Sequence, residues 1–255
     1  MFKKLILSIL IIFLLPSLCF SGALEMDEAV IAAKNAGGGC SFATENFSAY
    51  TEVDVLDRIT VDSGTQVTLT DFDRDDDRYL YIDKGAGYFS GDFTHRFVIT
   101  PSSATAQWSM VGFAVLANEI DDYKGIYDGA GETDDLIVFR VQHNANLNMS
   151  LLVYEDGVVV PEVDTPVDWA AGSWDTTYYV TITRDDDGGD NSKGVVTATI
   201  RITSHAGAVQ ATLTNNELTE QNDFQYLYAV SAMNNGTSED HDGVLQTLEL
   251  KACQP

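Results

Sequence analysis

A two-residue rhythm constrains this chain more than any other feature. From Cys40 onward, aliphatic side chains recur at every second position in short runs, and clusters of Gly, Asp and Asn separate the runs. In "RYLYI", Tyr79 and Tyr81 share one side and Leu80 and Ile82 the other; "QYLYAV" repeats this with Tyr226 and Tyr228 against Leu227 and Ala229. In "YYVTITR", Val180 and Ile182 oppose Tyr179, Thr181 and Thr183, and in "VVTATIRIT" Val196, Ala198, Ile200 and Ile202 oppose Thr197, Thr199, Arg201 and Thr203. Successive side chains of a strand point to opposite faces, so each run offers an aliphatic side to a core and a polar or phenolic side to water. The runs predict strands at 58–61, 66–70, 78–82, 93–100, 107–117, 136–143, 149–154, 177–184, 195–203, 209–213, 225–233 and 244–251. So many short strands with turns between them predict an all-β fold, a two-sheet antiparallel sandwich. No long 3.6-residue period follows residue 40, which excludes βαβ architectures. Neither a fixed repeat nor a proline-rich linker interrupts residues 40–255, so one domain is expected there.

The N-terminus reads differently. Lys3 and Lys4, the apolar run "LILSILIIFLL" and the small residues Ser21-Gly22-Ala23 form a signal-peptide pattern over 1–23. The run is too short to span a bilayer. Lipidation at Cys19 is disfavoured by the bulky Leu18 before it. Residues 24–39 read as a leader, a short helix or disorder, broken by "AGGG". Export to the periplasm, the cell surface or the medium is the expectation. In an oxidising compartment Cys40 and Cys253 can form a disulfide tying the ends of the domain together, worth up to about 5 kcal/mol by the chain-entropy model.

The chain carries 39 acids against 14 Lys and Arg, a formal charge of −25. That excludes nucleic acid as a partner and argues against anionic surfaces, while it attracts divalent cations. "DDDRYLYIDKGAGYFSGDF" concentrates the question. Gly85, Gly87 and Gly91 are not followed by a helix pattern that could hold a phosphate, so they read as turn formers. The aspartates are better candidates for chemistry. Asp73, Asp75 and Asp77 in "DFDRDDDR", and Asp185, Asp187 and Asp190 in "RDDDGGDNSKG", alternate as calcium ligands do, without completing an EF-hand loop. A third acidic stretch, "YDGAGETDD", is similar in character. A structural Ca2+ is the cofactor expectation.

"YLYIDKGAGYFSGDFTHRFVI", "FAVLANEIDDYKGI", "TTYYVTITRD" and "FQYLYAVSAMNNG" together resemble the concanavalin A-like lectin/glucanase superfamily, in particular its uncharacterised single-domain members from bacteria and phages. The "YYVTITRD" strand, a turn and "VVTATIRI" are similar to its laminin-G-type hairpin. The resemblance runs from about Asn46 onward and implies a jelly-roll sandwich. This fold hosts lectins, hydrolases, lyases and adhesion modules, so it does not by itself fix an activity.

Glucanases of that superfamily carry E-x-D-x-x-E on one strand. Here Glu119 and Asp121 fill the first two places and Tyr123 or Lys124 stands where the second glutamate belongs, so the acid/base pair is incomplete and no catalytic residue is assigned. No GxSxG or HExxH pattern occurs. The remaining expectation is a lectin-like module that binds an extended glycan on a concave aromatic face formed by Tyr79, Tyr81, Tyr179, Arg201, Tyr226 and Tyr228. The net charge favours neutral or cationic glycans unless calcium bridges an acidic one. A structural or adhesive surface protein without a glycan site is the alternative, and a glycoside hydrolase or polysaccharide lyase a second one.

Overall fold

In the computed structural model, residues 41–104, 109–128, 134–160, 167–189, 192–216, 218–236 and 238–252 are described, and the alternation becomes two antiparallel sheets. In chain order the strands are β1 (Ala43–Thr44), β2 (Thr51–Val53), β3 (Ile59–Ser63), β4 (Gln66–Leu69), β5 (Tyr79–Asp83), β6 (Phe93–Ala104), β7 (Met110–Ala117) and β8 (Leu136–Asn144). They continue as β9 (Asn146–Glu155), β10 (Val158–Val160), β11 (Val167–Gly172), β12 (Tyr178–Asp185), β13 (Val195–Arg201), β14 (Val209–Asn215), β15 (Tyr226–Ala232) and β16 (His241–Ala252). One six-residue helix, α1 (Tyr123–Asp128), follows β7. The first sheet has the order β14-β13-β12-β6-β16-β4-β3, with β1 on the far end of β16. The second has the order β10-β9-β8-β7-β15-β5-β2, with β11 on β9.

The aliphatic sides meet between the sheets. Phe97 of β6 and Phe139 of β8 are fully buried and stand edge to face across the sandwich, centroids 5.6 Å apart. Leu80, Val180, Ile200, Leu227 and Leu245 fill the same layer. Each such side chain stabilises the fold by about 2 kcal/mol through removal from water. All twelve predicted strands are present. The four that the sequence pattern did not single out are short or irregular: β1, β2, β10 and β11. Asp156 and Gly157, with φ of 50° and 73°, join β9 to β10 in a hairpin whose two positive φ values match the strands' twist. Gly85 and Gly87, at φ 93° and 70°, turn the chain between β5 and β6, as expected of turn formers.

Two bulges re-aim side chains in neighbouring strands. In β7 the register shifts between Phe113 and Leu116, with Ala114 at φ 49°. In β15 it shifts between Tyr228 and Val230. Phe113 and Ala114 both join the core, as do Ala229 and Val230, so Val115 and Tyr228 emerge on the outer face of the second sheet.

Residues 1–40 and 253–255 lie outside the described residues, and with them the predicted signal peptide, the leader, Cys19 and the Cys40–Cys253 pair. Among the described residues, no helix is long and apolar enough to cross a membrane.

Candidate functional site

The six predicted ligand residues do not share one face. Tyr79, Tyr81, Tyr226 and Tyr228 stand on β5 and β15 of the second sheet, whereas Tyr179 and Arg201 are cross-strand partners on β12 and β13 of the first. Alternation decides which side of its sheet a residue faces; it does not say which sheet a strand joins. On the first sheet Arg201 is buried, and the Tyr179 ring meets His205 edge to face at 5.4 Å.

The four remaining tyrosines do come together. Tyr81 lies directly opposite Tyr228, and its ring centroid is 5.6 Å from that of Tyr228 and 6.1 Å from that of Tyr226; Tyr79 is 5.7 Å from Tyr228. They do not form an open platform, because the chain that leaves β7 folds back over them. Tyr123 and Ile126 of α1 are fully buried against Val115, Leu136, Val138, Tyr79 and Tyr228, a second apolar cluster on the outer face. Gly112 makes room for this: a Cβ there would stand 2.9 Å from Val138 Cγ2 and 3.1 Å from Tyr123 Cδ1. The Tyr228 hydroxyl donates to the Glu119 carbonyl at 2.5 Å and accepts from the Asp121 N–H at 3.3 Å, and burial drives its pKa far up. Burial, and then Asp121 and Asp77, push Tyr79 to about 12. Tyr228 and Tyr79 therefore anchor the covering segment, and Tyr81 and Tyr226 alone keep partly open rings.

The same fold-back gathers carboxylates. Asp77, before β5, meets Asp121 and Asp122 at the entrance to α1, with an oxygen from each within 4.8 Å of the others. Asp122 is buried and its Oδ1 accepts from the N–H groups of Lys124 at 2.9 Å and Asn234 at 3.0 Å; burial raises its pKa to about 7. Asn234 Nδ2 holds Asp77 Oδ1 at 2.8 Å. A second group joins Asp92, Asp185 and Asp186. Either set, all hard oxygen donors, fits a cation such as calcium, with backbone carbonyls or water completing six to eight ligands. The predicted metal residues are thus divided. Asp77 and Asp185 enter these groups. Asp73 does not: it faces Asp240 and the buried Arg78 guanidinium, 3.9 Å from Arg78 Nη1, and burial followed by Asp240 raises its pKa to about 7. Asp75 and Asp187 belong to neither group, and Asp190 lies outside the described residues. Glu119 and Asp121 sit beyond the end of β7, in the loop rather than alternating along a strand, and of the two only Asp121 enters the acidic group.

Sequence reasoning passed over the most polar part of this outer face. On β8 and β9, Arg140 is the direct cross-strand partner of Ser150, and Gln142 of Asn148. All four lie on the face opposite Val141, Met149 and Leu151, which point into the core. Gln142, Asn148 and Ser150 are largely buried and Arg140 half-buried. Met110 flanks Gln142 and Gly112 flanks Arg140 on β7. Arg140 reaches the Met110 sulfur at 3.8 Å and Ser150 Oγ at 3.4 Å, both weak acceptors for a guanidinium. Its buried Nε and the buried Oδ1 of Asn148 have no partner among the described residues. The signal was present in "LIVFRVQHNANLNMSLLV": the outward positions change from Leu136 and Val138 to Arg140 and Gln142 within one strand.

No family model matches the sequence, and no curated protein matches it. Solved structures do match. The exoplasmic/lumenal domain of VIP36, in its Ca2+/Man3GlcNAc-bound form, superposes with a TM-score of 0.52 over 81% of this chain and 84% of that one, at 10% identity. A legume lectin-like domain from Entamoeba histolytica gives 0.51 over 80% and 90%, at 14% identity. This chain has the concanavalin A-like jelly-roll fold. A double mutant of alginate lyase Aly36B in complex with an alginate tetrasaccharide shares the jelly roll as well, at TM-score 0.50 and 11% identity over 84% of this chain and 98% of that one. Identities this low carry the fold and nothing finer.

Proposed function

We propose that this chain is an exported, lectin-like carbohydrate-binding module whose glycan lies on the outer face of the second sheet, over β8 and β9. One observation carries the reading: Arg140, Gln142, Asn148 and Ser150 form a two-by-two polar group on adjacent strands, in which Arg140 is half-exposed and the other three keep only a narrow exposed edge. Cross-strand partners are about 5 Å apart and i, i+2 neighbours about 6.6 Å, which matches the footprint of a sugar ring with its hydroxyls. Amides and a hydroxyl fixed on strands orient such hydroxyls without the entropy cost of ordering a loop. Support also comes from the fold, which two glycan-bound neighbours share. In a longer ligand, Tyr81 and Tyr226 beyond α1 would offer two partly open rings to stack on further sugars. Calcium at the Asp77, Asp121 and Asp122 group would brace the segment between those rings and the patch.

A glycan array probed with and without calcium tests this. Binding to at least one polysaccharide class is expected, with a loss of about tenfold or more in the double variant Gln142→Ala, Asn148→Ala, as for two lost hydrogen bonds. Undiminished binding by that variant would reject the site. Silence across the array would favour a structural or adhesive role, and release of reducing ends from a bound polymer would favour an enzyme.

A further inference from the structure

We infer that the patch on β8 and β9 reads an acidic group, a carboxylate or a sulfate ester, on the bound glycan, with Arg140 as its counter-charge. This rests on the glycan-binding reading above and adds the ligand's charge to it. In a chain of net charge −25, cations on the folded domain find carboxylates easily: Arg58 pairs with Asp71 at 2.8 Å, Arg74 with Glu239 at 2.6 Å and Lys84 with Glu45 at 2.9 Å. Arg140 has none within 4 Å among the described residues. It faces instead a thioether and a hydroxyl, and its Nε is buried without an acceptor.

Holding a guanidinium half out of water beside neutral groups is unfavourable unless something supplies the missing negative oxygens. Among the described residues, the groups that bond to it or flank it on neighbouring strands are uncharged. Met110 and Gly112 come from β7, Gln142 from β8 itself, Asn148 and Ser150 from β9, and the Tyr123 hydroxyl, 3.8 Å from the same Met110 sulfur, from α1. The nearest acid on an adjoining strand is the exposed Asp168, opposite Ser150 on β11 and so two strands, or about 10 Å, from Arg140. A guanidinium presents a planar fork that matches a carboxylate or sulfate edge. Gln142 and Asn148 can then hold neighbouring ring hydroxyls, which sets which sugar carries the acid. The net charge of the chain is no obstacle, because at about 0.15 M salt charges farther than about 8 Å are screened while the fork acts in contact. This reverses the preference for neutral or cationic glycans that net charge alone suggests.

The test is calorimetric titration in about 0.15 M salt with chelator present, so that calcium cannot bridge protein and ligand. The probes are oligogalacturonate and oligomannuronate, the same two with their carboxyls reduced to alcohols, and a sulfated oligoglucan beside its unsulfated parent. The expected result is binding of one acidic probe about tenfold or more tighter than its neutral counterpart, with the preference lost in Arg140→Gln and partly kept in Arg140→Lys. Uronate against sulfate binding separates the two sources of the acid. Equal or tighter binding of the neutral probes, or an acid preference that survives Arg140→Gln in a variant with normal melting, overturns the inference and leaves glycan binding standing. No binding by any probe overturns both.

Discussion

Two histidines illustrate what a single side chain can do to this fold. His95 on β6 stacks on Phe93 at 4.6 Å, and His241 on β16 lies 5.6 Å from Trp174; both are fully buried and neither ring nitrogen of either has a partner among the described residues. Burial, and then Lys84, lowers His95 to about 3, and burial, with His143 adding to it, lowers His241 to about 4. Above pH 6.5 both imidazoles are neutral, folded or unfolded, and cost nothing. Below it the unfolded chain takes up protons that the folded chain refuses, so each histidine removes about 1.4 kcal/mol per pH unit until its folded pKa is reached. Asp122 acts in the opposite sense, since its raised pKa adds stability as pH falls from about 7. Replacing His95 by Phe isolates one contribution. Urea unfolding at steps from pH 7 to 4.5 should show a shallower loss for His95→Phe than for the wild type, by about 1.4 kcal/mol per unit below 6.5; parallel curves would contradict a neutral buried ring.

At the scale of elements, the strands were legible and the cover over them was not. Alternation in "RYLYI" and "QYLYAV" assigned the outer positions of β5 and β15 correctly, because a slip of one residue would expose Leu80 and Leu227. The same pattern cannot report what lies above a face. The segment "NEIDDYKGIYD" reads as a polar loop, and only the i, i+3 spacing of Tyr123 and Ile126 hints at a short helix that caps the tyrosines. Joining of strands into sheets was equally silent, which is why Tyr179 and Arg201 were grouped with residues of the other sheet. If calcium holds this covering segment through Asp77, Asp121 and Asp122, the domain should melt higher in calcium than in chelator. Ligand at 100 times its dissociation constant adds about 2.7 kcal/mol, or roughly 5–10 °C for a domain of this size. Asp121→Asn should abolish the rise and Asp186→Asn should not. The reverse would assign the ion to the Asp92, Asp185 and Asp186 group, and no rise in the wild type would remove calcium altogether.

Across the whole molecule, the two ends of the described chain are neighbours. Ala43 faces Leu250 and Thr44 faces Glu249 in the β1–β16 ladder, so every pair sums to one register. In the sequence, Cys40 lies three positions before Ala43 and Cys253 three positions after Leu250. We therefore expect a Cys40–Cys253 bond in protein recovered from an oxidising compartment, seen as one linked peptide in non-reducing mass mapping. Native protein in which both thiols are alkylated would refute it. Reduction should lower stability by up to about 5 kcal/mol in the chain-entropy model.

The β1–β16 pair also decides how the molecule would carry load. Its strands are antiparallel and both chain ends leave from the same side of the pair. Tension applied between the ends therefore opens hydrogen bonds one after another, like a zipper, instead of shearing a whole ladder at once. Without a sulfur bridge the sandwich would peel from β1 at low force. With one, the pull would run through the bridge and leave both sheets unloaded.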